Sequence, residues 1–326
     1  MRYRTTAASA VLCVSWLAAP VDARSRITTF DAPGSINTYP VSINAGGTIA
    51  GYYEGSDNAF HGFVRIADGT ITSFDFPGAK GTLGGKINDG GVIAGGYSDS
   101  NSVYHGYVRA VDGTFTSFDP AGSVSTNSTG INVDSVVTGS YYDSNYIAHG
   151  YVRASDGTIT EFDVPGGSTS PYGINAQGAI VGTWLSGLYQ GFVRAADGTI
   201  TSFDAKKKRY SDTYASSINN KGEITGAAGR YGYIRATDGT FSWFFSHGGA
   251  ISAESINDKG VVTGCYQYSF GAACHGFVRR PDGKLTLFDG PKSTNTVAIC
   301  INKSGMITGA YEDANQVEHG FVRSVE

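Results

Sequence analysis

The chain has 326 residues and a formal net charge of −4 at pH 7, with one short basic run at residues 206–209. Nucleic-acid binding depends on positive charge that neutralises phosphates, so this mildly acidic balance argues against nucleic acid as a partner. Glycine accounts for 46 residues, about twice its usual share of roughly 7%, which predicts many tight turns between short strands.

The first 23 residues have the pattern of a secretory signal peptide. Arg2 and Arg4 precede an apolar run at residues 7–19, and small residues at positions 21 and 23 form a cleavage site. The apolar run is shorter than the roughly 20 residues that a spanning helix needs. We therefore expect cleavage after residue 23, no membrane span afterwards, and a secreted or periplasmic location.

Residues 24–326 are predicted to form a single domain of seven repeats, each 41–44 residues long. The repeats begin at Ile27, Ile71, Phe115, Ile159, Ile200, Phe241 and Leu285. Self-similarity at this period is typical of closed or stacked arrays, in which each unit packs on its neighbours.

Each repeat predicts four short strands, here described for the repeat that begins at Ile71. An alternating aromatic run, Ile71–Asp75, comes first, and a strand ending in Ile87-Asn88 follows. A glycine-containing turn leads to a third strand with an I-x-G pattern, and the fourth strand, HGYVR, ends in an Asp-Gly turn, a strong hairpin signal. Four strands in about 42 residues are the size of one propeller blade, so we predict an all-β, seven-bladed β-propeller.

The two ends of the repeat array complement each other. The array opens with Ile27–Asp31, which lacks a preceding HGFVR strand, and it ends with His319–Arg323, which lacks a following ITSFD strand. Pairing them would complete the seventh blade and leave no open sheet edge. The N-terminal strand is therefore predicted to close the ring.

Three recurring runs carry a family resemblance. The H-G-F/Y strand, the G-T-[I/F]-T-x-F-D-x-P-G run and the I-N-x-x-G-x-[I/V]-x-G run resemble bacterial extracellular repeat proteins of the HAF type, over nearly all of residues 24–326. This sequence has glycine where the family's name implies alanine. The resemblance implies export and tandem repeats, and it brings no established activity. The run Arg153–Phe162 is also similar to blades of streptogramin-lyase-type propellers.

Five of the six histidines occupy the same register of the repeat, which indicates a structural role in each blade. Folding the fourth strand onto the next one around its Asp-Gly turn places each histidine near an aspartate. The predicted pairs are His61–Asp75, His105–Asp119, His149–Asp163, His275–Asp289 and His319–Asp31. The two blades without histidine also have the shortest preceding loop, so the histidine could instead brace that loop.

Cys265 and Cys274 flank one hairpin loop and are predicted to form a disulfide across antiparallel strands. Cys300 is expected to be a buried, inert thiol. We expect no cofactor and no metal, because no cluster has metal-ligand spacing. Asp-rich loop tips at 57–58, 99–101, 143–145 and 312–315 are read as turns, with calcium binding as the alternative.

The diverse loops predict the functional face. The Asn-x-x-Gly and Asp-Gly turns are nearly identical in every blade, whereas the loops at the other ends of the strands differ, and diverse loops carry function. Aromatic side chains there suit a non-catalytic extracellular binding module for carbohydrate or protein. The candidate ligand-binding residues are Tyr53, Tyr97, Tyr142, Trp184, Tyr268 and Tyr311.

An enzyme is the alternative function. His247 is the one histidine outside the repeated register, and Glu254 is close to it in sequence. The alternative is a propeller lyase or hydrolase with His247 as general base.

Overall fold

The computed structural model describes residues 26–205, 212–245, 249–269 and 271–324, which form 28 strands in seven four-stranded antiparallel sheets. Each sheet is one blade, and the blades follow each other along the chain. The fold is therefore the all-β, seven-bladed propeller that the repeats predict. Within the described ranges, no helix is long and apolar enough to cross a bilayer.

Blades 1 to 4 comprise β2 to β17. Blade 1 contains β2 (Ser35–Ile43), β3 (Ile49–Gly55), β4 (Phe60–Arg65) and β5 (Ile71–Phe74); blade 2 contains β6 (Gly81–Ile87), β7 (Ile93–Ser98), β8 (Tyr104–Arg109) and β9 (Phe115–Phe118); blade 3 contains β10 (Ser125–Ile131), β11 (Val137–Tyr142), β12 (Ala148–Arg153) and β13 (Ile159–Phe162); blade 4 contains β14 (Ser168–Ile174), β15 (Ile180–Ser186), β16 (Leu188–Arg194) and β17 (Ile200–Phe203).

Blades 5 to 7 comprise the remaining strands, including the first one of the chain. Blade 5 contains β18 (Thr213–Ile218), β19 (Ile224–Ala228), β20 (Tyr231–Arg235) and β21 (Phe241–Phe245); blade 6 contains β22 (Ala250–Ile256), β23 (Val262–Gln267), β24 (His275–Arg279) and β25 (Leu285–Phe288); blade 7 contains β26 (Asn295–Ile301), β27 (Ile307–Glu312), β28 (Glu318–Arg323) and β1 (Ile27–Phe30).

The ring closes as the sequence predicts. Strand β1 pairs antiparallel with β28, with Ile27 opposite Arg323 and Phe30 opposite Gly320. The first strand of each blade contacts the first strands of both neighbouring blades, so β2, β6, β10, β14, β18, β22 and β26 surround the central channel. We call these the inner strands, and the last strand of each blade its outer strand.

Each inner strand carries a β-bulge beside the I-x-G glycine of the second strand. In blade 1 the pairing slips between Pro40 and Ser42, and a Cβ atom at Gly51 would lie 2.3 Å from the backbone oxygen of Tyr39. The backbones approach so closely that a side chain does not fit there. The bulge inserts one extra residue, which changes which side chains face the channel.

A glycine, a phenylalanine and an arginine link consecutive blades. In blade 1, a Cβ atom at Gly62 would lie 2.2 Å from the Phe74 ring, so the HGF glycine makes room for that ring. The guanidinium of Arg109, from blade 2, lies 4.8 Å from the centre of the same ring. Such cation–π contacts, at 4.7–5.1 Å, occur between all neighbouring blades: Arg65–Phe30, Arg109–Phe74, Arg153–Phe118, Arg194–Phe162, Arg235–Phe203, Arg279–Phe244 and Arg323–Phe288.

Asparagines at the ends of the inner strands form a closed ring of hydrogen bonds. Each side-chain Nδ2 donates to the backbone oxygen of the next asparagine at 2.9–3.3 Å, and Asn302 donates to Asn44 to complete the circle. Each Oδ1 accepts a backbone N–H from the turn that follows, for example that of Val136 for Asn132. The members of the ring, all buried, are Asn44, Asn88, Asn132, Asn175, Asn219, Asn257 and Asn302.

Candidate ligand-binding site

The two faces of the ring are built from different connections. One face, here the uniform face, carries the Asn-x-x-Gly turns and the Asp-Gly turns. The other, the variable face, carries the loops between second and third strands and the loops from each outer strand to the next inner strand. In blade 1 these are residues 56–59 and 75–80.

The repeated histidines lie on the variable face between carboxylates. His61 Nδ1 is 3.0 Å from Asp75 Oδ1, and His61 Nε2 is 3.2 Å from Asp57 Oδ1 in the preceding loop. The Nδ1–carboxylate distances in the other four pairs are 2.7–2.9 Å, for His105–Asp119, His149–Asp163, His275–Asp289 and His319–Asp31. In blade 1 the histidine thus both pairs with the aspartate and contacts the loop.

The electrostatic effect of these carboxylates follows from the geometry. Burial lowers the pKa of His61, but hydrogen bonds and charges from Asp75 and Asp57 outweigh burial, so the net shift is upward. The pKa of His149 is raised by the same balance of burial against Asp163 and Asp143. Backbone hydrogen bonds within the loops lower the pKa of Asp143. Protonation of His61 and His149 therefore strengthens their contacts with these aspartates in mildly acidic solution.

Four of the candidate ligand-binding side chains stand opposite the histidine position of their blade. Tyr53 and Tyr311 stack on His61 and His319 with ring centres 5.1 Å apart, and they are only 8% and 7% exposed. Buried rings offer little surface to a ligand. The other two are Tyr97 and Trp184. Tyr97 stacks between Phe76 and His105, and Trp184 is half-buried and packs against the hydrophobic core between blades 3 and 4.

The other two candidate tyrosines are exposed. Tyr142 stands one position beyond the histidine-facing column of blade 3, and Tyr268 contacts His275 and Tyr266 edge-on in blade 6. They are 41% and 51% exposed. These two side chains are therefore open to a ligand.

The Asp-rich loop tips are ordered as turns. Asp99 Oδ1 accepts the backbone N–H groups of Asn101 and Val103 at 2.9 and 2.8 Å, and the loops at Asp143 and Asp313 repeat this arrangement. Among the described residues, no group of three or more histidine, cysteine, aspartate or glutamate side chains could hold a metal ion. In these three loops the aspartate Oδ1 accepts backbone N–H groups, and the Oδ2 accepts from the side chain of the following asparagine.

The disulfide predicted from the sequence is present. Cys265 and Cys274 are bonded, with Cα atoms 5.3 Å apart, and the bond ties β23 to the start of β24. Cys300 is a half-buried free thiol on inner strand β26.

The central channel provides a cavity that opens towards the variable face. Its volume is about 410 Å3, within the range of small-molecule sites. It lies among inner strands from blades 2 to 7 and is lined by Lys86, Ser128, Thr129, Tyr172, Tyr214, Ser216, Ser252, Glu254 and Ile299. An adjoining cavity of about 490 Å3, lined among others by Tyr52, Leu83, Tyr104 and Asn127, shares Ser128 with it.

The channel side chains differ from blade to blade. Counted back from the ring asparagine, the position three residues earlier holds the bulge residue, and the position five residues earlier also faces the channel. The first set is Val41, Gly85, Thr129, Tyr172, Ser216, Glu254 and Ile299; the second is Tyr39, Leu83, Asn127, Ser170, Tyr214, Ser252 and Val297. Seven near-identical repeats thus surround an asymmetric chamber.

Tyrosines on blades 3, 4 and 5 form an arc from the rim to this chamber. Tyr142, Tyr172, Tyr189 and Tyr214 are each between 36% and 41% exposed. The Tyr189 and Tyr214 rings lie 5.1 Å apart. Burial, with the nearby charges of Tyr189, Tyr142 and Glu254, raises the pKa of the Tyr172 phenol. The tyrosine arc thus comes close to the chamber carboxylate.

Glu254, proposed from the sequence as part of an alternative enzyme site, lies inside the chamber. Ser252 donates a hydrogen bond to its Oε1. His247, the other member of that alternative, lies outside the described residues. Sequence reasoning missed Lys86, Tyr172 and Tyr214; comparing the seven inner strands position by position would have singled them out as variable within a uniform repeat.

The channel has a separate end at the uniform face. The asparagine ring surrounds a third cavity of about 260 Å3. Four isoleucines line both this cavity and the inner part of the channel: Ile87, Ile131, Ile174 and Ile218. The side chain of Lys303 spans from blade 7 to Asp89 of blade 2 at 2.5 Å across this end.

Comparison with solved structures agrees with this architecture. A catalytically inactive virginiamycin B lyase from Staphylococcus aureus with quinupristin superposes with a TM-score of 0.67, at 13% identity over 93% of this chain and 100% of that one. The chain shares the streptogramin B lyase fold. A streptogramin B lyase gives a TM-score of 0.61 at 14% identity over 91% and 97% of the two chains.

Another structure with this fold is the β-propeller domain of the Trilobed protease from Pyrococcus furiosus. Its TM-score is 0.62 at 12% identity, over 89% of this chain and 96% of that chain. At these identities the likeness concerns the fold. No family model and no curated protein matches the sequence.

Proposed function

We propose that the chain is a non-catalytic binding protein for carbohydrate, with its ligand on the tyrosine arc and in the channel chamber of the variable face. One observation carries the proposal: four half-exposed tyrosines lead into a chamber lined by hydroxyl groups, one lysine and one glutamate. Tyrosine rings present flat apolar faces to the C–H groups of a sugar ring, and hydroxyl and carboxylate groups bind its hydroxyls.

A concave chamber favours a carbohydrate over a protein ligand. Stable protein interfaces bury roughly 800 Å2 on each partner and have a tightly packed apolar core. The chamber has the size of a small-molecule site, and small polar side chains such as Thr129, Ser216 and Ser252 line much of it. An oligosaccharide chain matches both the arc and the chamber.

Export is part of the proposal. The signal-peptide pattern of residues 1–23 would send the chain out of the cytoplasm, and the Cys265–Cys274 disulfide suits an oxidising compartment. We retain HAF-type membership as a proposal because the three repeated runs cover nearly the whole domain.

Glycan binding and site-directed variants test the proposal. Residues 24–326 are applied to a glycan array, and the best ligand is then titrated calorimetrically against wild type, Tyr172→Ala and Tyr214→Ala. Loss of a stacking ring should weaken binding about tenfold or more, because a few anchors dominate binding energy. Melting temperatures should stay within a few degrees because both side chains are partly exposed.

Val111→Ala is the matched control, since Val111 is an exposed apolar residue in a turn of the uniform face. Normal binding by both tyrosine variants would refute the site. Product analysis after long incubation separates binding from catalysis: an unchanged glycan supports a binding protein, whereas cleaved glycan supports the lyase or hydrolase alternative.

A further inference from the structure

The chamber contains one cation among its described lining residues. Lys86 stands on β6 of blade 2, directly after the glycine pair Gly84-Gly85, and its side chain is half-buried. Its Nζ donates to the backbone oxygen of Val41 at 3.4 Å, which is long for such a bond. In the described part of the chain, no carboxylate lies within ion-pair distance of this ammonium.

A half-buried ammonium with one long hydrogen bond has unused capacity to bind an anion. The channel wall displaces part of the water around the ammonium, and the Val41 carbonyl is the one hydrogen-bond acceptor described for its three N–H donors. An anion placed beside Lys86 would form a charge-assisted hydrogen bond in a confined site, where such bonds are stronger than in open water.

Glu254, the one carboxylate among the described lining residues of the chamber, belongs to blade 6, on another side of the ring. Ser252 donates to Glu254 Oε1, which holds the carboxylate in place as an acceptor for further donors. The two charged side chains line the same 410 Å3 space. A ligand that fills it meets a cation on one side and a hydrogen-bond acceptor on the other.

We propose that the carbohydrate that binds here carries one carboxylate, as a uronic acid does, with Lys86 binding the carboxylate and Glu254 accepting hydrogen bonds from sugar hydroxyls. This inference rests on the proposed function. One lysine balances one carboxylate, whereas a phosphate monoester brings about −1.5 to −2 charges and would face Glu254 with too little compensation.

The charges around the chamber limit the ligand to few acidic sugars. Glu312 and Glu318 stand at the rim on blade 7, where burial and the Glu312 charge raise the pKa of Glu318. Glu54 adds a carboxylate on blade 1 and holds Asn37 by a hydrogen bond of 2.8 Å. A polyanion would be repelled there, so we expect one acidic sugar in the chamber and neutral sugars along the tyrosine arc.

The test uses matched acidic and neutral probes with the full domain. Aldotetraouronic acid is compared with its methyl ester, and cellobiouronic acid with its methyl ester, by calorimetry on wild type, Lys86→Met and Lys86→Arg. In at least one pair the acid should bind wild type tenfold or more tightly than its ester, and Lys86→Met should remove that preference. Lys86→Arg should retain it, and added salt should reduce it.

Lys80→Met is the matched control. Lys80 is an exposed lysine of the variable face, directly before the strand β6 that carries Lys86, and its replacement changes the charge by the same amount. It should leave the acid preference unchanged. Equal binding of acid and ester in both pairs would overturn the carboxylate inference while leaving carbohydrate binding in place. Binding of none of the four probes would also overturn it, and the glycan array then decides the proposed function separately.

Discussion

Replacement of Asn132 tests whether the asparagine ring holds the blades together through its donors. Asn132 is 6% exposed; its Nδ2 donates to the Asn175 oxygen at 3.3 Å, and its Oδ1 accepts from Val136 N at 3.0 Å. Asn132→Ala removes these two bonds and a third, in which Oδ1 accepts the backbone N–H of Asp134 at 3.0 Å. Asn132→Asp keeps the acceptor but replaces the donor by an oxygen that faces a carbonyl oxygen.

The two variants should differ in size of effect and in pH dependence. The alanine variant loses one inter-blade hydrogen bond and leaves turn N–H groups without their acceptor, for about 2–3 kcal/mol of unfolding free energy. The aspartate variant at pH 7 buries a carboxylate against a carbonyl, which should cost about 3 kcal/mol or more.

The direction of the pH dependence follows from the cost of burying the ionised form of the carboxyl introduced by Asn132→Asp. The carbonyl of Asn175 disfavours a charged Asp at position 132, so the folded-state pKa of the introduced carboxyl should rise above its unfolded value of about 3.9. The loss of unfolding free energy in Asn132→Asp is then complete above the folded-state pKa. It is relieved below about pH 4, where the protonated carboxyl can donate to the Asn175 oxygen.

Urea unfolding followed by fluorescence at pH 7 and at pH 4 measures these differences against wild type at each pH. Asn127→Ala and Asn127→Asp are the controls, since Asn127 lies on the same strand with an exposed side chain, and they should change stability by less than about 0.5 kcal/mol. A wild-type-like Asn132→Asp at pH 7, or a deficit that does not shrink on acidification, would refute the donor role.

Two further predictions concern the variable face. The His61–Asp75 interaction should contribute about 0.2–1 kcal/mol in a double-mutant cycle with His61→Asn and Asp75→Ala, since the side chains are 21% and 55% exposed. This interaction energy should be present below about pH 6.5 and should fade as the pH rises through the raised pKa of His61. Strict additivity of the two substitutions would contradict the interaction. The Cys265→Ser/Cys274→Ser double variant should lose about 2–3 kcal/mol, because the bond closes a loop with a sequence separation of 9. Alkylation of the unreduced, denatured domain should modify Cys300 alone, and labelling at Cys265 or Cys274 would contradict the bond.

The fold could be predicted from the sequence because every repeat has the same pattern of strands and turns. Asp-Gly turns of constant length fix the hairpin register, so the 14-residue spacing between His61 and Asp75 places the two side chains side by side. The same regularity made the phase of the first and last repeats informative, and it led to the pairing of Ile27 with Arg323.

The candidate site was only partly readable. Tyr141 and Tyr142 are neighbours, yet the strand's period of two turns the first onto His149 and the second towards solvent. The positions of the repeated histidines could have predicted that Tyr53, Tyr97 and Tyr311 are packed, because each tyrosine lies directly opposite a histidine on the neighbouring strand. The channel was harder to predict, because a bulge shifts the inward–outward alternation of the inner strand by one residue, and the glycine that accompanies the bulge lies on the neighbouring strand.

The closure between β1 and β28 has a consequence for how the chain could be rearranged. Ser324 N lies 3.1 Å from the Arg26 oxygen, on the face that carries the Asp-Gly turns. A short peptide linker could therefore join the two ends, and any one of the six Asp-Gly turns could be opened to supply new termini. Such circular permutants would keep every blade and every loop of the variable face, so any blade could come first in the chain without a change in the arrangement of the blades around the axis.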